Sequence, residues 1–182
     1  MHIKKKFYIS QKPTNQAGGF LHFFKNLNKT LFIFLFAGFA YGADLDIEKI
    51  VNEVKSQNKD ILFFHHIPGC PYCAAMIEEN FKDEALMHEI QENFIYVDIY
   101  TKTDGEIKYK DFKGSYKDFS TYVGAFAYPA TTFMNANGEI IHRAIGYRNI
   151  GEHYAEIKYV SSKSYKTMDL DAYKIELEFK KD

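Results

Sequence analysis

The chain holds two cysteines, and both lie in the tetrapeptide Cys70-Pro71-Tyr72-Cys73. Two thiols at this spacing can close a structural bridge, hold a soft metal ion, or exchange with the disulfides of other molecules. A bridge across so short a loop removes little entropy from the unfolded chain, so stabilisation is a weak reason for the spacing. Redox exchange is the stronger one. Residues 61–64 form a continuous apolar run, and a helical stretch with Ala74, Ala75, Met76, Ile77 and Phe81 follows Cys73. Cys70 therefore falls just ahead of a helix N-terminus, where unpaired backbone N–H groups and the positive end of the helix dipole favour a thiolate. That makes Cys70 the attacking nucleophile. Cys73, about one turn in, is the resolving thiol that attacks the mixed disulfide. Pro71 suits the first helical position, where its missing N–H would be unpaired anyway.

The elements that must hold this pair are legible as patterns. Ile47, Ile50, Val51 and Val54 follow i, i+3, i+4, i+7 spacing and predict an amphipathic helix that closes in the polar residues 56–60. The run 61–64 reads as a strand buried on both faces, ending at His65, His66 and Pro68-Gly69. A further helical stretch carries Leu86 and Ile90, and residues 94–99 read as a second buried strand. Residues 101–114 are polar with two glycines and are expected to be a surface loop. Ser115 with Asp118 resembles a capping box for a helix reaching about Val123. Beyond Pro129, two apolar segments flank Asn135-Ala136-Asn137-Gly138 and predict an antiparallel hairpin. Another helix is expected from about Asn149, and residues 161–182, with Met168, Leu170, Tyr173 and Leu177, predict a last amphipathic helix packing on the domain. The order implies an α/β domain: a central mixed sheet with helices on both faces.

Of the 182 residues, 46% are hydrophobic and 26% charged, which suits one ordered globular domain and excludes two large ones. A net charge of -1 gives no basic excess for nucleic acid. The charge is unevenly placed, however. Residues 1–43 carry six lysines and no acid, and residues 31–40 are ten apolar residues ending in the small Ala40, with the small Gly42 and Ala43 just beyond. This is the pattern of a secretory signal peptide, too short for a comfortable membrane span of roughly 20 residues. The expected organisation is a signal peptide over 1–42, a domain over 43–160 and a C-terminal helical extension over 161–182. Removing the leader takes six lysines and leaves 17 basic against 24 acidic side chains, so the exported domain is acidic. A retained N-terminal anchor is the alternative.

Cys70-Pro71-Tyr72-Cys73 after a hydrophobic strand, then Tyr128-Pro129-Ala130-Thr131-Thr132-Phe133, then Asn137-Gly138-Glu139 to Gly146-Tyr147, resemble the thioredoxin superfamily over about residues 47–160. Within it the chain is most similar to the exported thioredoxin-like group often labelled SoxW and to the catalytic domains of disulfide isomerases. The resemblance implies a thioredoxin fold and dithiol–disulfide exchange through Cys70, run as a reductase or isomerase on protein disulfides. It also implies recharging by a membrane electron donor and no cofactor. It further implies that Pro129 is cis and lies against the disulfide. Tyr128, with Pro71 and Tyr72 between the cysteines, is then the substrate-binding surface.

Some positions depart from the family pattern. The chain has no tryptophan, and Gly69 stands where one usually precedes the first cysteine. Phe64 stands where many thioredoxins bury an acid that moves the proton of the second thiol. Another base, or water, must do that work, and His65 and His66 are the nearest in sequence. Glu78 and Glu79 read as solvated helix-face charges. The 55 residues between Cys73 and Pro129 leave no room for the large helical insertion of DsbA-type oxidants. A second functional class remains, in which the Cys70 and Cys73 thiolates hold Cu(I) as a metallochaperone would.

Overall fold

The structure is a computed structural model that describes residues 44–180. The expected signal peptide and its cleavage point lie outside the described residues. The first helix, α1 (Ile47–Gln57), follows a two-residue strand, β1 (Leu45–Asp46), and is capped by the Asp46 carboxylate, which accepts from the Lys49 N–H at 3.3 Å. Its four periodic apolar residues, Ile47, Ile50, Val51 and Val54, are all buried. Asn58 ends it in the left-handed region at φ 54°, and strand β2 (Asp60–His66) begins two residues later.

All seven residues of β2 are buried, as expected of a central strand covered on both faces. It pairs in parallel with β3 (Phe94–Tyr100) and antiparallel with β6 (Ala130–Met134), and β6 pairs with the edge strand β7 (Ile140–Ile145). The order of this mixed sheet is β3-β2-β6-β7. Strand periodicity sends alternate residues of β2 to opposite sides. Ile61 and Phe63 join one core with α1 and with Phe119 and Val123, the latter pair from the helix α4 (Tyr116–Tyr122) and its cap. Leu62 joins the other core with Leu86 and Ile90 of α3 (Glu84–Asn93) and Ile157 and Val160 of α5 (Ile150–Ser161). Helix α2 (Pro71–Glu79) lies on this second side, because Phe81, just past its end, packs edge-on against Phe64 at 4.6 Å between ring centroids. The result is the thioredoxin fold, a mixed sheet with helices on both faces.

The expected capping box of Ser115 with Asp118 closes the N-terminus of α4, and α5 has a second one, Asn149 with Glu152. The tail forms a short 3-10 turn (Ser164–Lys166) and α6 (Leu170–Phe179), which buries Tyr173 beside Tyr159 at 5.4 Å between ring centroids.

The expected surface loop over 101–114 is corrected. It contains β4 (Ile107–Tyr109) and β5 (Phe112–Gly114), an antiparallel hairpin whose first strand also pairs in parallel with β1. Ile107 and Tyr109 alternate inward and complete the core over α1, whereas Lys108, Lys110 and Asp111 give the segment its polar composition. Three residues of alternation are too few to register against so polar a background. Strand β2 also runs two residues beyond its apolar stretch, taking in both histidines.

Candidate active site

Cys70 is the N-cap of α2, in extended conformation, with Pro71 at the first helical position. The two cysteines are joined as a disulfide with their Cα atoms 5.2 Å apart. The Cys73 N–H donates to the Cys70 sulfur at 3.1 Å. That sulfur therefore occupies the place of a capping oxygen, held against the unpaired donors and the positive dipole end of the helix. The same contact stabilises a thiolate when the bridge opens. Cys70 is half-buried and Cys73 buried, with Cys73 2% exposed. The outer sulfur is thus reachable and the inner one shielded. Pro71 and Tyr72 are exposed.

The Tyr128–Pro129 peptide bond is cis, with Pro129 buried and Tyr128 half-buried. Pro129 leads directly into β6, where Ala130 pairs with His65. It therefore sits at the end of the sheet from which β2 leaves for Cys70. Its carbonyl accepts from the Gly146 N–H at 2.8 Å, which ties the turn after β7 to the same end. Gly146 has φ +96°, a backbone region that L side chains rarely adopt. The next residue, Tyr147, leans on Tyr72 at 5.9 Å between ring centroids and donates its hydroxyl to Glu79 at 2.9 Å. Sequence reasoning missed this bridge between α2 and the turn after β7. Its only signal was an aromatic residue following a glycine. Glu79 thus has a specific partner, whereas Glu78 pairs with Lys82 on the exposed helix face.

The two histidines of β2 take opposite sides. His65 faces α4: its Nδ1 lies 3.0 Å from the Ser120 hydroxyl and its Nε2 2.9 Å from the Thr132 hydroxyl. Ser120 spends its own hydrogen on the Tyr116 carbonyl at 3.0 Å, so it accepts from His65 Nδ1–H, and Thr132 donates to Nε2. Complete burial, with His66 nearby, pushes His65 down to about 3. His65 is a neutral packing residue, on the side of the sheet away from α2.

His66 faces the α2 side with Phe64. Its Nε2 is 2.8 Å from Asp98 Oδ1, and its ring lies between Phe64, nearly parallel at 18° and 5.4 Å, and Tyr100 at 5.0 Å. The pairing Phe64↔Asp98 and His66↔Tyr100 puts all four on one face. Asp98 was not singled out from the sequence, although a lone acid inside an otherwise apolar strand was the available signal. On the same side, His153 of α5 receives the Asn80 amide at 3.1 Å and lies 3.4 Å from the Thr131 hydroxyl. Burial pushes it down to about 4.

Among the described residues, no group of three or more His, Cys, Asp or Glu side chains is arranged to hold a metal ion. No helix among them is long and apolar enough to cross a membrane.

The profile of the family described as thioredoxin-like domain matches residues 47–161, more than half of the chain. The chain belongs to this thioredoxin-like domain family. Solved structures similar to this thioredoxin-like chain include a thioredoxin-fold protein from Helicobacter pylori, 18% identical, covering 63% of this chain and 81% of that one with a TM-score of 0.54. A thioredoxin from Thermus thermophilus is 16% identical over 64% of this chain and 85% of its own, with a TM-score of 0.51. A disulphide isomerase from Xylella fastidiosa Temecula1 is 16% identical over 63% and 88%, with a TM-score of 0.50. At these identities the likeness establishes the shared fold. No curated protein matches the chain by sequence. The family match ends at the last residue of α5, so the 3-10 turn and α6 lie beyond the matched domain.

Proposed function

We propose that this protein is a thiol–disulfide oxidoreductase that acts on protein disulfides outside the cytosol, as a reductase or isomerase. The observation that carries the reading is the Cys70 sulfur capping α2, reachable from solvent, with the Cys73 sulfur shielded behind it. In the reduced protein the Cys70 thiolate attacks a substrate disulfide and forms a mixed disulfide, releasing the first substrate sulfur. Cys73 then attacks Cys70, releasing the second substrate sulfur and restoring the Cys70–Cys73 bridge, so two electrons pass to the substrate. Pro129, Tyr128, Pro71 and Tyr72 form the surface that receives the substrate segment. The apolar run 31–40 behind a lysine-bearing leader supports export, and a membrane electron donor then returns the bridge to the dithiol.

Substrate trapping in cells tests the reading. Cys73→Ser leaves the mixed disulfide unresolved and accumulates covalent complexes with protein partners, whereas Cys70→Ser accumulates none. Equal trapping by both variants, or by neither, refutes the assigned roles. The copper-holding alternative rests on the same two sulfurs, and titration of the reduced protein with Cu(I) is its test.

A further inference from the structure

Resolution of the mixed disulfide requires the Cys73 thiol to lose its proton, and a thiol of ordinary pKa is only about 3% ionised at pH 7. Burial of a thiol among apolar groups makes ionisation harder still. The buried ionisable side chains other than tyrosine and cysteine, among the described residues, are Asp60, His65, His66, His153 and Glu156. Asp60 opens β2 at the far end of the strand and is paired with Lys163. His65 faces α4 with both nitrogens engaged. His153 is engaged at both nitrogens by Asn80 and Thr131, and Glu156 is held by Arg148 at 2.7 Å.

His66 differs from the rest. It is the last residue of β2, on the redox-helix side, and only Ile67, Pro68 and Gly69 separate it from Cys70. Its ring plane is fixed between Phe64 and Tyr100. With Asp98 accepting at 2.8 Å, the neutral ring keeps its hydrogen on Nε2, and the Nδ1 lone pair is left without a hydrogen-bond partner among the described residues. The His66 side chain keeps 7% exposure, so the ring is not fully sealed from solvent. The charged and ionisable groups around the ring are Asp98 and Tyr100 from β3, with the Tyr96 hydroxyl 3.5 Å from the same Asp98 oxygen, and His65, its neighbour on β2. The acids at the end of the redox helix are engaged elsewhere, Glu78 with Lys82 and Glu79 with Tyr147.

We propose that His66, held by Asp98, is the base that takes the Cys73 proton when the mixed disulfide is resolved. This rests on the redox reading above. The proton passes to His66 Nδ1, directly or through one water. The Cys73 thiolate then attacks the Cys70 sulfur, the bond from Cys70 to the substrate breaks with its electron pair going to the departing sulfur, and the imidazolium returns the proton to that thiolate. Asp98 acts through His66 as a positioning residue, fixing the tautomer and the ring orientation.

Reaction of the fully reduced protein with 5,5′-dithiobis(2-nitrobenzoate) separates the two steps. The first thionitrobenzoate released reports attack by Cys70, and the second reports attack by Cys73. In His66→Phe the second phase is expected to slow about 100-fold at pH 7, the lower end for general-base catalysis. In Asp98→Asn it is expected to slow about tenfold. Both deficits shrink to less than twofold by pH 9.5, where the thiol ionises unaided, and the first phase stays within twofold throughout. A second phase unchanged at pH 7, or one slowed equally at pH 7 and pH 9.5, overturns the proposal. Should His66→Phe fail to fold, His66→Gln and Asp98→Asn carry the same comparison. A wild-type protein with no distinct first phase refutes the redox reading itself, a different failure from loss of the His66 effect alone.

Discussion

Acidification should weaken this fold through His65, and the size of the effect follows from its surroundings. The ring is fully buried, donates from Nδ1 to Ser120 and accepts at Nε2 from Thr132, so it stays neutral in the folded protein until the pH approaches about 3. In the unfolded chain the same ring charges near its ordinary value of about 6.5. Unfolding therefore takes up a proton, and stability present above pH 6.5 is lost as the pH falls from there toward the folded value. At pH 5 the unfolded chain gains about 2 kcal/mol from this one ring. His153, held down to about 4 by burial, contributes a similar amount by pH 5, roughly 2 kcal/mol. Together they approach the lower end of the ~5–15 kcal/mol by which domains are stable. Equilibrium urea unfolding of the oxidised protein at pH 7.5, 6.5, 5.5 and 5.0, beside His65→Gln, isolates the effect. Glutamine offers an amide donor and a carbonyl acceptor but does not charge. The stability difference between the two proteins should therefore move by about 2 kcal/mol in favour of the variant between pH 7.5 and 5.0. Parallel stability curves across that interval would show that His65 is not held neutral and would refute the reasoning.

Two further substitutions probe the frame that holds the site. Phe63 is fully buried in the core over α1 and meets Phe119 edge-on at 5.4 Å; Phe63→Ala should lower the unfolding free energy by about 3–5 kcal/mol, read from urea denaturation. Asp60 is 4% exposed, accepts from the Ala136 N–H at 3.2 Å and pairs with Lys163 from the segment after α5. Lys163→Met should cost about 3 kcal/mol by stranding a buried carboxylate, and adding Asp60→Asn should recover part of that loss in the same assay.

The helices and central strands were legible because each satisfies its own local pattern over enough residues. Ile47, Ile50, Val51 and Val54 set the inner face of α1, and Ser115 marks the start of α4 through its cap. The small sheet β1-β4-β5 was not legible, because its strands are two or three residues long and its stability comes from Ile107 and Tyr109 reaching a core assembled elsewhere in the chain. At the site, the cysteine pair and its helix are local and could be read directly. The choice between His65 and His66 could not, since neighbours in a strand face opposite ways and the parity is set by which residues of β3 and β6 lie alongside. Asp98 matters through its place across a parallel ladder, 32 residues from His66.

That ladder also accounts for Phe64, the position where many thioredoxins carry a buried acid. Here the side chain is fully buried between the Phe81 and His66 rings, a setting that would leave a carboxylate at that point facing two aromatic groups. An ion so placed without hydrogen-bond donors would be strongly disfavoured. The residue directly beside Phe64 on β3 is Asp98. The carboxylate therefore stands one strand over on the same face, where its side chain retains 16% exposure and gains the His66 Nε2–H and the Tyr96 hydroxyl as partners. Moving the charge to the neighbouring strand keeps it solvated. It also requires a relay group between it and the sulfurs, and a histidine with one nitrogen on the acid and the other free meets that requirement. The same logic gives the pair an order of importance: removing the imidazole breaks the relay, whereas removing the charge of Asp98 leaves the imidazole in place with its orientation less firmly held.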